Sequence, residues 1–462
     1  MTPVETAIHS VSRVFESFHP LSMPRLARGH YRREIVAWAG LALGMGAVEG
    51  AVGGVIAKNI FENTVSPAML NFTVAILTGA PAFVNISSFI WTGLSLGRHK
   101  IRFLVGLQIA AMAFVALVAF APLNSLGLLM LTVGLTGARM CWSGVVILRS
   151  TVWRANYPRY ARAKMAGKIA TVQILLMALT GLCIGFAIKD YPTSFRFIYP
   201  FVAVIGMAGA WVYLGMRMRG HRALLVAESN RDKGSLKSVN PLALLEILRN
   251  DRRYRRFQYC MFMFGLGNLM VTAPLVIMLK DRFTMNPLES VLIATTLPLL
   301  LMPVSIPVWS KLLDRVHIIE FRAIHSWSFV ASIITMLLAC VLDIPALLWV
   351  GAVLQGIAYG GGVLAWNLGH HDFAPVEKAS QYMGVHVTLT GIRGLVALVV
   401  PVGVYELLEH LRPGSGGWVF AMCLFFCLCG TIGFILMRRS LAGPGHDSRF
   451  SDGPPVQPPV AG

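Results

Sequence analysis

The sequence predicts an all-α polytopic membrane protein whose twelve transmembrane helices form two pseudo-symmetric six-helix bundles. Three observations carry that expectation. Charged residues make up 13% of the chain and hydrophobic residues 56%, whereas soluble domains carry about 25% charge. Apolar runs of spanning length recur along almost the whole chain, a span needing roughly 20 residues to cross about 30 Å of hydrocarbon. The basic residues, finally, cluster in alternate loops. A β-barrel is excluded, because barrel strands alternate apolar and polar residues in segments of about ten.

The spans fall near 34–58, 68–96, 101–121, 126–152, 167–188, 197–216, 257–280, 288–310, 321–341, 345–369, 381–405 and 417–437. With the N-terminus cytoplasmic, the inside segments hold 32 of the 40 Lys and Arg and the outside segments 6, while Arg139 and Arg393 lie within spans. This asymmetry places both termini inside. It also accounts for the net charge of +19 without a nucleic-acid partner.

Five regions follow. Residues 1–33 form a cytoplasmic segment in which Val4, Ile8, Val11, Phe15 and Phe18 recur at helical spacing, as in an amphipathic helix on the inner surface. The first bundle covers 34–216 and the second 257–437, joined by a basic central loop over 217–256. Within that loop "NPLALLEIL" starts an amphipathic helix, with Pro241 at a tolerated first-turn position. The Pro/Gly-rich tail, 438–462, is expected to be disordered.

Little in the chain suggests catalysis. The seven cysteines (141, 183, 260, 340, 423, 427 and 429) all fall in predicted spans, without a CxxC pair in a loop, and read as small core residues. "GHHDFAP" (369–375) offers His370, His371 and Asp372, but adjacent residues leave a helix on different faces and no fourth ligand is near. It reads as a polar helix end. A GxxxxGK[ST] loop is absent, so ATP hydrolysis is not expected. No enzyme activity, metal or cofactor is predicted. The start lacks a basic region followed by an apolar stretch, so no cleavable signal is read. The Ala-, Arg- and Gly-heavy composition suits a bacterial inner membrane. Asn71 and Asn85 stand in sequons inside span 2 that should go unused, and Gly46, Gly50 and Gly54 in span 1 suit close helix approach.

The two halves look related. "IWTGLSLGRHKIRF" (90–103) precedes "VWSKLLDRVHIIEF" (308–321) by 218 residues, pairing Trp91 with Trp309, Leu94 with Leu312, His99 with His317 and Phe103 with Phe321. Pro158, Gly167 and Thr171 match Pro375, Gly384 and Thr388 at an offset of 217. Each match falls at the same point of the topology, which indicates a duplicated six-helix unit, a frequent device of secondary transporters.

On these features the chain resembles the major facilitator superfamily over roughly residues 30–440. The loop 2–3 motif of that family survives as "GRHK" (97–100), with Leu94 or Leu96 where its Asp would stand. The second-half copy keeps Asp314 and Arg315. In span 4 "LTGARMCWSG" matches the family's Leu-x3-Arg-x2-Gln-Gly motif at Leu135 and Arg139, with Trp142 and Ser143 replacing Gln-Gly. The span 5 Gly-Pro motif of proton-driven drug exporters is absent from "LTGLCIGF". The resemblance implies alternating access around a central site, with Arg98, Lys100, Asp314 and Arg315 at the gate.

A charge at a helix centre costs roughly 2.5–3.5 kcal/mol on insertion scales, so such residues face a cavity or a partner. Glu49 in span 1, Arg139 in span 4 and Arg393 in span 11 are three at similar depth. Glu49 reads as a proton-binding carboxylate alternately paired with Arg139, as half of a fixed ion pair, or as a bystander facing water. Arg139 and Arg393 suit an anionic group, which guanidinium grips in two places. Asn268, Gln355, Tyr359, Trp366 and His386 are further candidates for solute contact.

The expectation is a proton-coupled secondary transporter of a small anionic organic solute. Its partners are the bilayer, the solute and a proton or other coupling ion, and the chain is read as a monomer. Two rivals stand beside it: an exporter of amphipathic or lipid-like molecules, and a non-transporting sensor or assembly protein built on a transporter fold.

Overall fold

The computed structural model describes residues 16–229, 241–370, 372–374 and 379–441, which contain helices and no strand. Twelve helices among them are long and apolar enough to span a bilayer: Arg25–Ile60, Pro67–Ser87, Lys100–Phe120, Ser125–Asn156, Lys164–Asp190, Pro192–Leu214, Arg252–Asp281, Pro287–Leu313, Ile318–Leu342, Ala346–Leu368, Tyr382–Leu411 and Gly416–Ser440. Each overlaps one predicted span. The first starts at Arg25 rather than near 34, its long basic side chains being able to reach the interface while the helix continues. An even number of crossings brings both described ends to one face, here the terminal face; the other is the far face.

Several predicted features lie outside the described residues: positions 1–15 of the amphipathic segment, 230–240 of the central loop, His371, Pro375 and 442–462 of the tail. Phe18 is described, with the Lys168 ammonium 5.0 Å from its ring centroid. Pro241 opens the helix Pro241–Asn250, as its position suggests.

Packing separates the spans into two groups. Span 1 lies against spans 5 and 6, and span 3 against 4 and 6; span 7 lies against 11 and 12, span 9 against 10 and 12, and span 8 against 10. The halves meet through spans 2 and 11, spans 5 and 8, and the far-face ends of spans 1 and 7. The duplication shows in repeated roles. His99 and His317 each cap the helix that follows, their Nδ1 atoms accepting from Arg102 N and Ile319 N. Trp91 packs where a Cβ on Gly144 would stand, and Trp309 does the same at Gly361.

Span 1 is not the uninterrupted helix that its apolar run suggests. It ends at Ala47, Glu49 is extended (φ −59°, ψ 131°), and a second helix starts at Gly50. Glycines on both sides weaken helix preference here, and the freed carbonyls find donors. Tyr199 Oη donates to Ala47 O at 2.8 Å, and Arg139 Nε to Val48 O at 3.0 Å. Span 7, its counterpart, also breaks, between Leu269 and Thr272. Irregular backbone at membrane depth survives only where protein or a water-lined cavity satisfies it.

Gly50 is small for contact as well. A Cβ there would lie 2.6 Å from Leu77 O in span 2, and one at Gly46 would lie 2.8 Å from Met177 O in span 5. The close-approach reading of these glycines therefore describes their setting.

At the far face the halves are tied by charge. Lys58 Nζ reaches Asp281 Oδ2 at 2.7 Å and Asn71 Oδ1 at 2.8 Å, Asn71 Nδ2 donates to Glu406, and Lys280 pairs with Glu62 at 3.3 Å. Lys58 is 3% exposed, so this knot is internal rather than a surface pair.

Overpacking of a tight contact costs about 1–3 kcal/mol. Gly50→Val is therefore expected to lower the melting temperature and the monodisperse yield of detergent-purified protein, read by fluorescence-detected size exclusion after heating. An unchanged melting profile would show that spans 1 and 2 are not pressed together at Gly50.

Candidate functional site

A cavity of about 460 Å³ opens beside the seam between the halves. Its walls come from span 2 (Pro81, Ala82, Asn85) and from spans 7 to 11 of the second half. It runs from Asn268 and Leu269, at the break in span 7, to Arg322 and Trp366 near the terminal-face ends of spans 9 and 10. Most of the lining is apolar, with the polar groups gathered on a few residues.

Two guanidiniums stand in this wall. Arg393 is 4% exposed, with Nη1 donating to Met261 O and Nη2 to Thr390 Oγ1 at 2.6 Å. Arg322 is 3% exposed, and its Nη1 lies 3.4 Å from His325 Nδ1. His325 Nε2 is 2.8 Å from Ala358 O, which fixes the tautomer: Nε2 donates and Nδ1 accepts from Arg322. Neither arginine forms an ion pair among the described residues, and the Nε atom of each is buried without a partner. Gly265 leaves room for this arrangement, since a Cβ there would collide with the Arg393 guanidinium.

Arg322 is the residue that sequence reasoning missed, counted among the basic residues of loop 8–9. Arg139 corrects the expectation from the other side. It is not among the residues lining the cavity; its guanidinium is taken up by the Glu49 carboxylate and the Val48 carbonyl. The two arginines brought to one cavity are therefore Arg322 and Arg393, not Arg139 and Arg393. Glu49 itself is half-buried at the helix break and within electrostatic reach of the Tyr359 hydroxyl in the opposite half.

Of the remaining candidates, Asn268, Tyr359 and Trp366 line the cavity. Gln355 and His386 stand behind it. Gln355 Nε2 donates to Tyr359 Oη at 2.8 Å, and the His386 ring lies 5.6 Å from that of Trp366, with Nδ1 3.3 Å from Gln258 Oε1. Both support lining residues rather than facing the space.

At the terminal face, the carboxylate missing from loop 2–3 comes from elsewhere in the chain. Glu228, on the short helix His221–Ser229 after span 6, accepts from Lys100 Nζ at 2.7 Å and from Gly97 N at 2.9 Å. The His221 and His99 rings meet at a tilt, with centroids 4.2 Å apart. Arg98 is exposed over the Phe103 ring. Asp314 and Arg315 are also exposed, and neither forms an ion pair among the described residues. Asp372 instead accepts from Ile318 N at 2.8 Å, so the "GHHDFAP" acid serves the start of span 9.

A second buried carboxylate also escaped the sequence. Glu34 is fully buried and accepts from Trp153 Nε1 and Tyr157 Oη. Arg149 lies nearby, its guanidinium carbon 3.8 Å from the Trp38 ring centroid and 4.3 Å from that of Trp153. Cation–π contacts of this kind are worth about 0.5–2 kcal/mol, and they fasten spans 1 and 4 at the terminal side.

Two six-span halves, broken first helices in each, and a charged cavity beside their seam define a polytopic membrane transporter. A family model described as Major Facilitator Superfamily matches residues 35–398, and the chain belongs to that superfamily. Solved structures agree in fold. A D-xylose–proton symporter aligns with a TM-score of 0.65 at 11% identity, covering 88% of this chain and 97% of that one. A peptide transporter, POT, solved with sulfate gives 0.63 at 14%, covering 88% and 96%. The nucleoside transporter NupG gives 0.60 at 12%, covering 87% and 99%. No curated protein sequence matches significantly.

Lys100→Gln is expected to release the helix His221–Ser229, and trypsin should then cut at Arg217, Arg219 or Arg222 several-fold faster. Acid should do the same. Burial, then His99 and Lys100, hold His221 below the ordinary histidine value of 6.5. A base with a depressed docked value supports docking above its free value and loses that support as pH falls through it. Protection at pH 7.5 that weakens by pH 5.5 is the expected result; equal cutting at both would show that the histidines do not set the docking.

Proposed function

We propose that this chain is an alternating-access transporter of a small organic anion, coupled to protons through Glu49. One observation carries the reading: Arg322 and Arg393 line one cavity within the spans, and among the described residues no acid pairs with either. Two unbalanced charges there are costly, and an anionic solute held by both guanidiniums offsets that cost. The cavity volume lies toward the small end of the roughly 300–1,000 Å³ typical of small-molecule pockets, which disfavours a two-chain lipid as cargo.

Glu49 and Arg139 supply the coupling. A proton on Glu49 removes the charge that holds Arg139 and leaves Val48 O as its fixed acceptor, so protonation loosens the junction between the two pieces of span 1. One of the fold's neighbours is by its name a proton symporter. The basic asymmetry supports a cytoplasmic terminal face in a bacterial inner membrane. The conformer then faces the cytoplasm, closed outside by Lys58–Asp281 and its neighbours. Lys100 with Glu228 holds the helix His221–Ser229 to the first half at that face, and Arg98, Asp314 and Arg315 are available as contacts when it closes.

In proteoliposomes, Glu49→Gln is expected to abolish the response of flux to an imposed pH gradient while solute binding persists. Arg393→Ala should weaken binding about tenfold or more, the worth of a charge-assisted hydrogen bond. A pH-gradient response unchanged in Glu49→Gln would remove the coupling role.

A further inference from the structure

The same cavity specifies more than a charge. We propose that its cargo is an amphipathic aromatic carboxylate: a planar ring seated among side-chain rings, with the carboxylate on Arg322 and Arg393. The inference rests on the anion reading above and narrows it.

The wall is mostly apolar, and apart from the two arginines its polar side chains include Asn85 and Asn268. Phe264, Phe329 and Tyr359 form a run of rings, Phe264 meeting Phe329 edge-on at 5.3 Å between centroids and Phe329 meeting Tyr359 at 5.9 Å. Trp366 continues the aromatic lining toward the terminal face. Across from them, span 2 presents Pro81 and Ala82, which offer no side-chain hydrogen bond, and Asn85, whose amide nitrogen is given to Pro81 O at 3.2 Å. A sugar or a hydrophilic polyanion entering this space would leave most of its hydroxyls or oxygens against carbon, and each unpaired polar group costs about 1–3 kcal/mol. An aromatic ring fits that surface, because ring pairs favour edge-on or offset contact at centroid separations of roughly 4.5–7 Å.

The charged end is equally defined. Arg322 sits 5.5 Å from the Phe264 ring centroid, so the guanidinium and the aromatic run share a border. Both arginines keep a buried Nε–H free of any partner, and both line the space. An acid group at that border meets two guanidiniums that no carboxylate answers among the described residues, while its ring stays on the apolar side. A neutral aromatic molecule leaves the charges unanswered, and a small hydrophilic anion leaves the rings unfilled.

The test is calorimetric titration of the full-length purified protein with four probes: indole-3-acetate, its neutral amide indole-3-acetamide, acetate and malonate. Indole-3-acetate is expected to bind at least about tenfold more tightly than each of the others, from charge-assisted hydrogen bonds on one side and ring burial on the other. Arg322→Gln should abolish that preference for acid over amide, whereas Arg322→Lys keeps part of it. Phe329→Leu, which retains apolar bulk without a ring, should narrow the gap between indole-3-acetate and acetate several-fold. Acetate or malonate binding as tightly as indole-3-acetate overturns the aromatic assignment and leaves the anion reading standing. The amide binding as tightly as the acid overturns both. Malonate binding alone, or no probe binding at millimolar concentration to a protein that melts cooperatively, also overturns the aromatic carboxylate.

Discussion

The Arg139 guanidinium meets two needs at one place in the bilayer. It gives Val48 O the hydrogen bond that the broken helix withholds, and it gives the Glu49 carboxylate a counter-charge. Neither partner is tolerable alone: an unsatisfied carbonyl costs several kcal/mol in hydrocarbon, and a bare carboxylate costs more. The break, the acid and the base therefore require one another. With span 4 holding the joint, the far-face piece of span 1 is free to pack on span 7 while the terminal piece packs on spans 5 and 6.

The halves use the duplicated scaffold differently. In the first, the described buried charges are answered: Glu49 by Arg139, and Glu34 by donors from Trp153 and Tyr157 beside Arg149. In the second, Arg322 and Arg393 are held, among the described residues, by neutral groups only, a histidine nitrogen, a threonine hydroxyl and a backbone carbonyl. One bundle is electrically closed and the other open. The proposed reading places coupling in the closed half and recognition in the open one.

The fold was legible because bilayer thickness imposes a long, regular period that composition alone reveals. All twelve spans emerged, and so did the duplication, later visible as His99 and His317 capping equivalent helices. The site was legible only in part. Glu49, Arg139 and Arg393 stand far from either end of their spans and declare themselves. Arg322 and Glu34 lie a turn or two inside their spans, where a basic or acidic residue usually reaches water, and sequence cannot distinguish one that turns inward. The nearby "RAIH" spacing, which sets His325 one turn beyond Arg322, was the available signal. Glu228 was hidden for another reason. Its partner Lys100 is over a hundred residues away, and only the folded chain brings the two together.

The internal knot around Lys58 has a kinetic consequence. An empty carrier that idles with this latch made offers its binding chamber to one compartment only, and a molecule arriving from the other meets a shut door. On the proposed reading, the apparent dissociation constant from that side is the intrinsic one divided by the small fraction of time the latch stands undone, so the two membrane faces would see unequal half-saturation concentrations from a single pocket.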